Sequence, residues 1–145
     1  MSHVSEIDIT IKSLDALRTA CERMGWQFVE GQKTYKWYGR WVGDSPLPQN
    51  TRIEELGKCN HAIKVPGASY EVGVVEMPDG AYSLRYDSWY SGGLDVKLGK
   101  NAGLLKQAYG IEAAKIGARR KGFSCYEQVQ EDGKTIELVM RRADS

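Results

Sequence analysis

The chain has 145 residues, 41% hydrophobic and 27% charged, with a net charge of +1. That fits one globular domain over residues 1–145, excludes a disordered chain, and leaves no global field to draw it to nucleic acid or an anionic membrane. The sequence shows neither a secretory signal nor a run of about eighteen apolar residues, and Cys21, Cys59 and Cys125 are odd in number and widely spaced, so the expectation is free thiols, no membrane, and a cytoplasmic address, stromal if a plastid encodes it.

Ile7, Ile9 and Ile11 alternate with Asp8, Thr10 and Lys12, the period-two pattern of an opening strand buried on one side. Ser13 then stands as a capping residue before Leu14, Leu17, Cys21 and Met24, an apolar stripe at helical spacing that Gly25 ends. WQFVE and the segment Tyr35 to Val42 read as two strands of a hairpin, joined through Glu30-Gly31-Gln32-Lys33. Alternation in the second puts Tyr35, Trp37 and Trp41 on one face, a core face, and Lys36, Tyr38 and Arg40 on the other. Asp44 to Gly57, with Pro46 and Pro48, is expected to be a surface loop ending in one helical turn at 52–56.

Residues 61–65, 70–75 and 81–89 follow as an antiparallel meander, with Pro66-Gly67 and Pro78-Asp79-Gly80 as its turns. Leu94 to Lys121 reads as a second helix, clearest from Asn101, with Leu105, Tyr109, Ala113 and Ile116 on its apolar stripe and Gly122 as its stop. Its segment carries seven Lys or Arg against two acidic residues, the usual mark of a solvated face. Gly103, Gly110 and Gly117, with Gln107 and Ala114 between, form a second face almost without side chains, on which close packing against the sheet is the first reading and a docked backbone or flat ligand the second. Lys106 and Gln107 are the candidate contacts there. Phe123 to Val129 and Thr135 to Arg141 close the chain as a hairpin around Glu131-Asp132-Gly133. The fold class is therefore α+β: one mainly antiparallel sheet with two helices packed on one face.

Chemistry-bearing patterns are sparse. Cys59 and His61, two apart at a strand entry, would share a side as a thiol–imidazole pair or two metal ligands, but no third group is visible, and a small buried thiol beside a surface imidazole is the simpler reading. Phosphate-binding loops, dinucleotide fingerprints, nucleophile elbows and metal-binding helix motifs do not occur, so the reading leans away from an enzyme and names no catalytic residue and no cofactor. In YSLRYDSWY, alternation sets Arg85, Asp87 and Trp89 against Tyr82, Leu84, Tyr86, Ser88 and Tyr90. Arg85 and Asp87 would neutralise one another on an exposed face, or Arg85 and Trp89 would join Lys36, Tyr38 and Arg40 in a site for an anionic or planar ligand.

MSHVSEIDITIKSLDALRTACERMGW, GKCNHAIKVPGASYEVGVV, LGKNAGLLKQAYGIEAAK and EQVQEDGKTIELVMRR together resemble the conserved hypothetical proteins of red-algal plastids, cyanobacteria and phages called domain of unknown function 1257. The resemblance runs over nearly the whole chain and departs at Asp44 to Gly57. It assigns no activity and no residues; what it implies is an accessory role beside an AAA-type ATPase. Two functions lead at this point, ahead of a third, an enzyme using Cys59 and His61. The first is a non-enzymatic adaptor that docks on a protein partner, such as that ATPase, with Arg40, Trp41 and the other sheet aromatics as contacts. The second is a binder of a small anion, a nucleotide or single-stranded nucleic acid through Lys36, Tyr38, Arg40, Arg85 and Trp89. A homodimer is compatible with both.

Overall fold

Five short strands, β1 (Val4–Glu6), β2 (Gln27–Glu30), β3 (His61–Lys64), β4 (Glu71–Glu76) and β5 (Tyr82–Asp87), form one antiparallel sheet in the order β1-β5-β4-β3-β2. The computed structural model describes residues 3–39, 47 and 51–142. The meander 61–87 forms as its alternation requires, with Val74 opposite Leu84 and Ile63 opposite Val72 on one face. Its turns use Gly67 and Gly80, both at positive φ, where a side chain would be strained.

Helix α1 (Leu14–Met24) starts where Ser13 Oγ accepts the Ala16 N–H and stops at left-handed Gly25. Helix α3 (Gly103–Arg120) packs beside it, and the Tyr109 hydroxyl accepts the Lys12 N–H at 2.9 Å just ahead of α1. Leu17, Ala20, Leu105 and Ala108 meet Ile63, Val74 and Leu84 in the main core. This is the α+β architecture read from the sequence.

Four expectations need correction. The Ile7 to Ile11 segment stays beside β5 through Ile7 N–H to the Leu84 carbonyl and Ile11 N–H to the Tyr82 carbonyl, but a tight turn at Asp8, where the Ile9 N–H reaches the Ile7 carbonyl, keeps it from being a strand; the strand lies earlier, at Val4–Glu6. The second helix is broken: α2 (Leu94–Lys97) ends before Gly99, and Asn101 and Ala102 take left-handed φ values of 54° and 57°. The closing hairpin, β6 (Phe123–Val129) with β7 (Ile136–Arg142), is a separate two-stranded sheet resting on α3. Finally, β2 pairs with β3, not with a strand over Tyr35 to Val42. Residues 35–39 are not in a strand, and 40–42 lie outside the described residues.

Candidate functional site

The sheet face away from the helices carries Ala62, Gly73, Val75, Ser83, Arg85 and Asp87, and it is not open. Residues 33–38 cross it as a strap. One end is tied by Tyr35 N–H to the Gly57 carbonyl and Cys59 N–H to the Lys33 carbonyl. Two buried carboxylates hold the rest. Glu71 Oε1 accepts the Lys36 N–H at 2.9 Å while the Lys36 carbonyl accepts the Glu71 N–H, and Asp87 Oδ2 accepts the Tyr38 N–H at 3.0 Å. The alternation expected of a strand therefore survives in the strap: Tyr35 and Trp37 turn to the sheet, and Lys36 and Tyr38 face out. A strand glycine makes the room. A methyl group on Gly73 would sit 2.3 Å from the Tyr35 ring.

Asp87 is the centre of this arrangement. It has no exposed surface, and its carboxylate takes three backbone N–H groups, those of His3 and Trp89 on Oδ1 and that of Tyr38 on Oδ2. A buried carboxylate saturated with peptide N–H groups is a rigid anchor, because withdrawing any one donor leaves charge unsolvated. All three donors belong to ring-bearing residues, so one side chain ties together the backbone of the N-terminal segment, the strap and the end of β5. His3 meets Trp89 edge-on at 5.1 Å between ring centroids, and Trp89 meets Tyr90 at 4.8 Å. Tyr90 is 71% exposed and Tyr38 37%. The result is an aromatic corner on a fixed backbone.

Of the residues named from sequence, the structure brings Tyr38, Asp87 and Trp89 together and leaves Lys36 exposed on the same strap. Arg85 lies one inward position before Asp87 on β5 but is buried at 4% exposure, so it does not share an open face with Lys36 and Tyr38. Asp87 gives its oxygens to backbone amides rather than neutralising Arg85 across an exposed face, as the simpler reading of that pair had it. Arg40 and Trp41 lie outside the described residues. Gln107 donates to the Lys134 carbonyl in the closing hairpin, and Lys106 lines a different hollow with Ser5, Asp8 and Tyr86, so neither belongs to the corner. The glycine face of α3 is not packed on the sheet: a methyl group on Gly103, Gly110 or Gly117 would meet nothing within 4 Å.

Cys59 and His61 do not form a pair. Asn60 leaves the strand pattern, its side chain accepting the Glu76 N–H, and this puts the two on opposite faces. The Cys59 thiol donates to the Gln32 carbonyl on the strap side, while the His61 ring lies near Phe28 and Tyr82 and its Nδ1 accepts the Gly31 N–H. Burial pushes the Cys59 thiol up to about 11, the wrong direction for a nucleophile. Among the described residues no three metal-ligating side chains converge, and no helix is long and apolar enough to cross a membrane.

No family model, no curated protein and no solved structure matches this chain. Its site must be read from its own geometry. Sequence reasoning missed His3, Tyr90 and Glu71. Tyr90 was legible as an exposed aromatic after a strand, while His3 and Glu71 matter only through contacts between distant segments.

Proposed function

We propose that this protein is a non-enzymatic docking module whose aromatic corner, formed by His3, Tyr38, Trp89 and Tyr90, seats a protein partner. The observation that carries this reading is the triple acceptance at Asp87, which fixes the backbone of ring-bearing residues from three chain segments before any partner arrives. Aromatic side chains dominate binding hot spots because they bury much area at small entropic cost, and a rigid backbone removes part of the remaining ordering cost. Lys36 beside Tyr38 on the strap adds a cation to the rim. The family resemblance points to an AAA-type ATPase as the partner class, and the sequence's lack of a signal pattern or apolar span to the cytoplasm, or a plastid stroma, as the place.

The test is recovery of a stoichiometric complex from the native host, compared with a Trp89→Ala, Tyr90→Ala double variant whose fold is verified by circular dichroism. The reading expects the complex with the natural chain and at least a tenfold weaker association in the variant, since two hot-spot aromatics are each worth about 1–2 kcal/mol or more. Equal recovery from both would overturn it.

A further inference from the structure

On the strapped face, one inward position before the corner, a charge is buried without an ion pair among the described residues. Arg85 is 4% exposed, and its Nε is buried with no hydrogen-bond partner. Among the described residues no carboxylate forms an ion pair with it. Asp87 is occupied by three backbone amides, Glu71 by the Lys36 N–H and Gln32, and Glu55 by Arg52 at 3.1 Å. Buried guanidinium groups are ordinarily paired, because a desolvated donor left without an acceptor is costly.

Arg85 lines a pocket of about 220 Å³ together with Glu55, Lys58, Cys59, Asn60 and Val75. Asn60 is fixed there because its Oδ1 accepts the Glu76 N–H, which leaves its amide NH2 as a donor. Lys58 is exposed at the rim. A further hydroxyl of this face, Ser83 Oγ, is also buried without a partner. The Tyr35 ring lies on Gly73, the Cα partner of Arg85, and Ser83 is the preceding inward residue of β5. The pocket thus gathers the donors of Arg85, Lys58 and Asn60 around one carboxylate, Glu55.

We propose that this pocket binds a small oxyanion, a phosphate or carboxylate group, with the Arg85 guanidinium as its central donor and Lys58 and Asn60 as rim donors. Arginine suits such a group because its N–H donors match two oxygens at once, and the apolar wall of Val75 strengthens the interaction by excluding water. Glu55 is the opposing element. Arg52 is shared between it and Glu54, and the Glu55 charge acts on Arg85 as well, so removing that charge lowers the repulsion an incoming anion meets. The site is separate from partner docking at the aromatic corner and stands or falls independently of it.

The experiment is a titration of the full-length ¹⁵N-labelled protein with inorganic phosphate, and separately with acetate, at constant ionic strength set by sodium chloride, following the Arg85 Nε–H resonance. The proposal expects a saturable shift with at least one of the two anions, and which anion saturates identifies the class. Lys58→Ala, a change at an exposed position, should weaken that binding about threefold, and Glu55→Gln should tighten it by a similar factor. No saturable shift with either anion, in both the natural chain and Glu55→Gln, would overturn the proposal. A saturable shift that Lys58→Ala and Glu55→Gln both leave unchanged would overturn the assignment to this pocket.

Discussion

Replacing Asp87 by Asn probes the anchor with almost no change of shape. Asn keeps one oxygen, able to go on accepting from His3 and Trp89, but puts an NH2 where Oδ2 met the Tyr38 N–H at 3.0 Å. Donor then faces donor in a place without solvent, since Asp87 has no exposed surface. A buried N–H stripped of its acceptor costs about 1–3 kcal/mol, and the two surviving bonds weaken as their acceptor loses charge. Loss of a buried charge offsets part of this, so the net destabilisation is about 2–3 kcal/mol. At about 3 °C per kcal/mol for a chain of this size, the melting temperature should fall by roughly 6–9 °C. Urea unfolding should show a lower midpoint at unchanged slope, and hydrogen exchange should show the Tyr38 amide losing protection while amides of β3 and β4 keep theirs. A change below about 0.5 kcal/mol, or a Tyr38 amide as protected as before, would refute the reasoning.

The two kinds of glycine should respond in opposite senses. Gly73→Ala forces the Tyr35 ring off the sheet and should destabilise by about 1–3 kcal/mol in urea unfolding, whereas Gly110→Ala, with nothing within 4 Å of the added methyl, should stabilise by about 0.5–1 kcal/mol. Burial pushes the Cys21 thiol up to about 12 and the Cys59 thiol up to about 11, while Cys125 is partly exposed, so a thiol reagent on the native protein should label Cys125 first, as peptide mass mapping would show. Glu127 is held down at about 2, chiefly by its hydrogen bond from Arg23 and then by Lys115. A depressed carboxyl stabilises the fold above its unfolded value near 4.5 and loses that contribution as pH falls toward about 2, so Glu127→Gln should flatten the acid arm of the stability profile by about 1–2 kcal/mol between those values.

Where the information is local, the fold is legible in the sequence. Ser13 and Gly25 bracket α1, Gly67 and Gly80 turn the meander, and Asp132 with left-handed Gly133 closes the last hairpin by accepting the Lys134 and Thr135 N–H groups. The choice of partner for β2 is not local. Both the Tyr35 segment and β3 offer it alternating residues, and β3 wins because it presents Ile63 and His61 opposite Phe28 and Glu30, with the rings of Phe28 and His61 in contact on the helix side. Small residues were the available clue to the strap. Ala62 and Gly73 lie side by side on β3 and β4, a gap in an otherwise bulky sheet that an aromatic ring from elsewhere fills. The same limit applies to the site: alternation correctly places Arg85 and Asp87 on one face, but their burial depends on a strap that pattern alone renders as a neighbouring strand.

The most direct test of docking at the aromatic corner is photo-crosslinking in the native host, with a benzophenone amino acid placed at Tyr90 and, as control, at Tyr126, which is exposed on the outer hairpin. The account predicts one discrete adduct from position 90, lost when Trp89→Ala is added, and none of that mass from position 126. Identical adducts from both positions, or an adduct at 90 that Trp89→Ala leaves untouched, would contradict it.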